Sequence, residues 1–173
     1  MKKYLTEFIG TLFLVLIIGL TQNPLAIGFG LTVLVYMGAH ISGAHYNPAV
    51  SLAMFIKKEI SGVDFFRYII AQIFGAALAA YFVFTLSSNM TIQPNLDESV
   101  YQILLAEVLF TYLLVLVILN VACHPNLKEN SFYGLAIGLT VMAGAYSVGD
   151  LSGGVFNPAV SIGPSIIDLI SGY

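Results

Sequence analysis

The chain has 173 residues, 58 % of them hydrophobic and 9 % charged, with a mean hydropathy of +0.92. A soluble domain carries about 25 % charged residues, so the composition excludes a soluble globular domain and describes a chain that lives in lipid. The net charge of −3 offers no basic footprint for a nucleic-acid partner. The single cysteine, Cys123, leaves no intrachain disulfide or thiolate metal site and reads as a small packing residue.

Five apolar runs fall near residues 4–20, 25–39, 64–87, 100–122 and 132–148. Crossing the hydrocarbon core takes about 20 apolar residues, and no alternation of period two runs through these segments, so they read as helices rather than barrel strands. Met1-Lys2-Lys3 ahead of Leu12 to Leu20 has the outline of a secretory signal peptide. Glu7 interrupts that outline, and the segment has an internal partner, so it reads as the first span. The separators are short and polar: Gln22-Asn23-Pro24, Lys57-Lys58-Glu59, residues 87–99 and residues 124–131.

Charge sorts by side. Lys2, Lys3, Lys57, Lys58, Arg67 and Lys128 are all the basic residues. With alternating spans and a re-entrant segment after the second span, they fall on one side, which the positive-inside rule makes the cytoplasm. The other connections carry Asp97, Glu98 and Asp150 and no Lys or Arg. The N-terminus is therefore expected in the cytoplasm of a multi-pass protein of the cell membrane.

The chain is an internal repeat, about 1–90 and about 98–173, within one domain. Glu7-x-x-x-Thr11 matches Glu107-x-x-x-Thr111, and Gly30-Leu31-Thr32-Val33 matches Gly138-Leu139-Thr140-Val141. Ser42-Gly43-x-x-x-Asn47-Pro48-Ala49-Val50-Ser51 matches Ser152-Gly153-x-x-x-Asn157-Pro158-Ala159-Val160-Ser161. An odd number of crossings per repeat inverts the second copy, and inverted repeats place a pathway at the midplane between the halves. The first copy runs on into the span at 64–87, which holds Gln72 and the small-residue ladder Gly75, Ala76, Ala79, Ala80. The sequence ends soon after the second copy, at Tyr173.

Asn-Pro-Ala after a loop is a helix start: Asn caps, and Pro sits where its missing N–H is harmless. Non-helical backbone at bilayer depth survives where it lines a watery cavity or is buried in protein. Residues 42–46 and 152–156 would be such segments, their carbonyls forming a ladder of acceptors. Two half-helix N-termini meeting at the centre would repel cations, while the Asn47 and Asn157 amides donate to a passing neutral oxygen.

These residues resemble the aquaporins, the major intrinsic protein family. The resemblance rests on the Glu-x-x-x-Thr start of each repeat, the run Ser42 to Val50 and the second Asn-Pro-Ala, and it covers nearly the whole chain. It implies an all-α membrane protein, an aquaporin-like inverted repeat with five transmembrane helices plus two re-entrant half-helices. It further implies a homotetramer in the lipid bilayer and passive flow of water or small neutral solutes such as glycerol, urea and ammonia. Glu7 and Glu107 are implied as carboxylates that hold the re-entrant loops, as expected of carboxylates placed in apolar spans.

The sequence departs from the family twice. The family's sixth span has no counterpart in these residues, and Val160 stands where the family usually has an arginine. The selectivity filter implied by counting from the motifs is Ile27, Ala145, Gly154 and Val160, a small apolar ring, with Gly144 or Tyr146 as alternatives to Ala145. Such a ring is wider and greasier than a strict water filter.

Other residues read plainly. His45 is a structural hydrogen-bonding residue, and His40 and His124 are exposed segment ends. Phe65, Phe66, Tyr68, Tyr81, Phe82 and Phe84 face lipid or its interface, and Asp64, Asp150 and Asp168 are solvated ends. No nucleophile–base set, carboxylate pair or metal-ligand spacing stands out, so the expectation is a non-enzyme without cofactor or metal. A coupled transporter and a non-transporting remnant are the competing classes.

Overall fold

The computed structural model describes residues 1–87, 97–127 and 129–171. These form α1 (Lys2–Thr21), α2 (Pro24–Ser42), α3 (Pro48–Ile56), α4 (Gly62–Ser87), α5 (Val100–Val121), a 3-10 turn (Pro125–Leu127), α6 (Tyr133–Ser152) and α7 (Pro158–Ser171). Five of them, α1, α2, α4, α5 and α6, are long and apolar enough to cross a membrane. The helices exceed the apolar runs by a few residues at several ends, because caps rather than apolarity terminate them. Asn23 accepts from Leu25 N at 2.9 Å and Ala26 N at 3.3 Å, with Pro24 at the first helical position. Ser99 and Gln102 form a reciprocal capping box on α5. Gly43 and Gly153 close α2 and α6 in the left-handed conformation, at φ 86° and 88°.

Helices in lipid have no hydrophobic drive toward each other and associate by close packing at small residues. α2 and α6 form one of the two main contacts between the halves, and α4 and α7 form the other. A Cβ on Gly138 would lie 2.3 Å from the Gly28 carbonyl oxygen, so the crossing demands glycine. α1 and α4 approach in the same way, since a Cβ on Gly75 would lie 2.4 Å from the Phe8 carbonyl oxygen. α4 also covers α7, where Ala76 and Ala79 pack with Val15, Ala159 and Val160. In the first repeat α4 thus packs against α1 and α7. The described residues contain no second helix in the corresponding place beside α5.

The small-residue ladder of α4 extends one turn further than its composition suggests. Tyr68, Gln72, Gly75, Ala76, Ala79 and Val83 form one buried stripe. Tyr68 therefore does not face lipid: it is 2 % exposed, and its hydroxyl donates to the Ser42 carbonyl at 2.7 Å. Phe66, Tyr81, Phe82 and Phe84 do point outward, while Phe65 is half-buried and stacks on Phe55.

Asp64 is also no bare solvated end. It pairs with Lys3 at 2.8 Å and accepts from the Tyr4 hydroxyl at 2.7 Å, and Arg67 donates to that same hydroxyl at 3.1 Å. These bonds place the starts of α1 and α4 at one edge, as the charge sorting requires. Asp150 and Asp168 are exposed. Lys128 and most of the 87–99 separator lie outside the described residues.

Candidate functional site: the paired re-entrant loops

Two short loops fold back into the helix bundle with the same backbone. Gly43, Ala44 and Tyr46 have φ of 86°, 51° and 47°, and Gly153, Gly154 and Phe156 have 88°, 60° and 47°. A left-handed non-glycine residue costs roughly 1–2 kcal/mol, so Ala44, Tyr46 and Phe156 need outside support. The two carboxylates supply it. Glu7, wholly buried, accepts from Ser42 Oγ (2.6 Å), His45 N (3.0 Å), Tyr46 N (2.7 Å) and Gln72 Nε2 (2.8 Å). Glu107, half-buried, accepts from Ser152 Oγ (2.6 Å), Val155 N (3.1 Å) and Phe156 N (2.7 Å). Two amides of each loop are thereby spent on a carboxylate, and the Ala44 and Gly154 amides are spent on Ser42 Oγ and Ser152 Oγ at 3.1 and 3.2 Å, so carbonyls are what the loops have left to offer.

Around the first loop the polar support goes deeper. Gln72 Nε2 also donates to Ser51 Oγ at 2.9 Å, and His45 Nδ1 lies 3.1 Å from the same hydroxyl. His45 is thus structural, with a serine rather than a backbone partner. Tyr46 is buried and donates to the Leu34 carbonyl at 3.0 Å. In the second loop Phe156 takes that position and packs on Phe110, ring centroids 5.4 Å apart.

The loop tips are cross-bonded. Asn47 Nδ2 donates to the Phe156 carbonyl at 2.8 Å, and Asn157 Nδ2 donates to the Tyr46 carbonyl at 2.9 Å. Each side-chain oxygen caps its own helix, accepting from Ala49 N (2.8 Å) or Ala159 N (3.0 Å). Each amide therefore has one N–H engaged in the clamp and one left over. Pro48 and Pro158 open α3 and α7. α3 has 9 residues and α7 has 14, with Pro164 inside it. The second re-entrant helix is therefore longer than its twin.

Two cavities lie along the loops, and the clamp asparagines border the first of them. One, of about 490 Å³, is lined by Asn47, Asn157 and His45, and by His40, Glu59 and Cys123 among others. The other, of about 380 Å³, is lined by Ile27, Ala145, Gly154 and Val160, with Gln22, Tyr146 and Asp150 among its other lining residues. All four residues read from the sequence as a filter thus border one cavity. Gly144 does not border it and is buried under Phe156 and Phe110. Tyr146 does, beside Ala145. Gly154 has a structural reason to be glycine as well, because a Cβ there would lie 3.1 Å from the Ala145 Cα.

Sequence reading missed several of these participants. Gln72 and Tyr68 join the first loop's support, and their position on the ladder's own helix face was the available signal. Ile18, Val141 and Val155 border both cavities with Val160; nothing in the sequence separates them from other aliphatic residues. Among the described residues, no cluster of three His, Cys, Asp or Glu side chains could hold a metal ion.

Comparison with known proteins agrees with this architecture. The family model described as major intrinsic protein matches residues 1–170. The chain is 38 % identical to glycerol uptake facilitator protein-like 6 of Lactiplantibacillus plantarum, over 96 % of this chain and 84 % of that protein. It is 32 % identical to aquaporin AqpM of Methanothermobacter thermautotrophicus, over 98 % of this chain and 84 % of the relative. Its fold matches the X-ray structure of the aquaglyceroporin from Plasmodium falciparum, with a TM-score of 0.84 at 23 % identity, over 98 % of this chain and 81 % of that one. With its inverted pair of loops, its five membrane-capable helices and these relatives, the chain belongs to the major intrinsic protein family.

Proposed function

We propose that the chain is a passive channel for water and small neutral solutes, glycerol, urea and ammonia among them, gated at the paired Asn-Pro-Ala motifs. The observation that carries this reading is the crossed clamp of Asn47 and Asn157 on the wall of the first cavity. There the starts of α3 and α7 meet, and each amide keeps one donor for a passing oxygen. Two helix N-termini at one point repel cations, while a neutral solute exchanges water for amide and carbonyl partners. The relatives named as glycerol facilitator and aquaporin favour the same class of solute. Glu7 and Glu107, the carboxylates of the spans, are engaged in holding the loops, which speaks against ion coupling.

In this reading Ile27, Ala145, Gly154 and Val160 form a wide apolar filter, and residues 1–173 act as one channel domain. The chain assembles as a homotetramer in the cell membrane, its N-terminus on the cytoplasmic side with Lys2, Lys3, Lys57, Lys58 and Arg67. Stopped-flow swelling and shrinking of proteoliposomes tests the proposal. Flux should exceed that of empty vesicles and ignore imposed proton and sodium gradients. Val160→Arg should then lower glycerol and urea permeability about tenfold by filling the ring, with any proton leak falling too. A Val160→Arg protein with unchanged solute permeability and proton leak would sink the filter assignment.

A further inference from the structure

We infer that the junction between the two cavities is a collar without hydrogen-bond donors, which favours ammonia, a small solute with one lone pair, over polyhydroxylic solutes. The inference rests on the channel reading and narrows its solute. Four residues border both cavities: Ile18 from α1, Val141 from α6, Val155 from the second loop and Val160 from α7. All four side chains are aliphatic. Their backbone donors are also spent. Val155 N is bound to Glu107 Oε1 at 3.1 Å and Val160 N to the Asn157 carbonyl at 3.0 Å. Ile18 and Val141 lie well inside α1 and α6, where their amides belong to the helical ladder.

The polar side chains stand to either side of this junction. Asn47 and Asn157 border only the first cavity, and Gln22, Tyr146 and Asp150 border only the second. A solute in the collar can donate to loop carbonyls, but nothing there donates to it. Each solute oxygen then crosses with its lone pairs unmet, which costs free energy for every such group. Glycerol brings three hydroxyl oxygens and urea one strong carbonyl acceptor, whereas ammonia brings a single lone pair. The sorting is therefore by acceptor count as well as by width, and Ile27, which borders only the second cavity, takes no part in it.

Proteoliposomes of the full chain distinguish these terms. Ammonia entry is followed with an entrapped pH dye, and glycerol and urea entry by light scattering, each corrected for empty vesicles. Wild-type permeability should favour ammonia over glycerol by at least about tenfold. Ile18→Asn places an amide donor in the collar at similar size and should raise glycerol several-fold relative to ammonia. Ile18→Ala widens the collar without adding a donor and should raise both with little change in their ratio. Glycerol passing as fast as ammonia in the wild type overturns the collar and leaves the channel standing. So does an Ile18→Asn ratio no different from that of Ile18→Ala. Absence of flux for every solute overturns the channel reading and the collar with it.

Discussion

The two re-entrant loops have nearly the same backbone and different foundations. The first hangs on Glu7, which is wholly buried and takes four donors, one of them Gln72 from α4. Behind it Ser51 ties Gln72 and His45 together. The second hangs on Glu107, which is half-buried with three donors. There Val155 replaces His45, and Ser161, the twin of Ser51, is exposed. The shared part, a carboxylate accepting from one serine hydroxyl and two consecutive loop amides, is thus sufficient to set the left-handed turns. The extra polar layer of the first half is added support, and it arises where α4 packs across the loop. A buried polar network is worth most when every member is satisfied, and here Gln72 Oε1 is buried without a partner, so the added layer stabilises less than its bond count implies.

The largest effect should come from the carboxylates. Glu7→Gln exchanges an acceptor of four hydrogen bonds for a group that must also donate. It should lower stability by about 4 kcal/mol, because bonds to a charged group are each worth roughly 1.5–3 kcal/mol and a broken buried set leaves unmet partners. Glu107→Gln should cost about half as much by the same reasoning. Thermal melting in detergent, followed by circular dichroism, ranks the two; equal losses would break the comparison. Gln72→Leu is the intermediate case, removing the donor that Glu107 lacks, and should cost about 2 kcal/mol. In that background Glu7→Gln should lose no more than Glu107→Gln does, a double-mutant cycle that isolates the α4 contribution. The smallest effect belongs to Tyr46→Phe, which gives the first loop the second loop's residue. Loss of the hydroxyl bond to Leu34 should cost about 1 kcal/mol, with no change in solute permeability.

Much of this was legible along the chain. The five spans follow from hydropathy, and the carboxylates from their cost in an apolar run. The loops follow from the doubled Ser-Gly and Asn-Pro-Ala. The cap chemistry alone would have misled, because Asn23-Pro24 opens α2 with the same bonds that Asn47-Pro48 and Asn157-Pro158 use. What separates them is depth: α2 is a full span, whereas α3 and α7 start where the two loops touch. Tyr68 was misplaced because an aromatic near a span end usually marks the interface. The rotation of α4, set by Gly75 against α1 and Ala76 against α7, turns it inward instead.

With the carboxylate of each loop implied by the family resemblance, the sequence by itself determined the duplication, the apolar spans and the Asn-Pro starts of the two half-helices. These depend on apolar runs and on side chains bonding close along the chain or in repeated spacing. Only the tertiary structure decided that the two asparagines bond to each other's loops and that Gln72 serves Glu7 alone. It also decided that Ile18, Val141, Val155 and Val160 border both cavities. Those facts depend on how each helix is rotated about its axis, and close packing at glycine and alanine fixes that rotation after the spans have formed. In an apolar sequence an aliphatic residue facing the pore reads the same as one facing lipid.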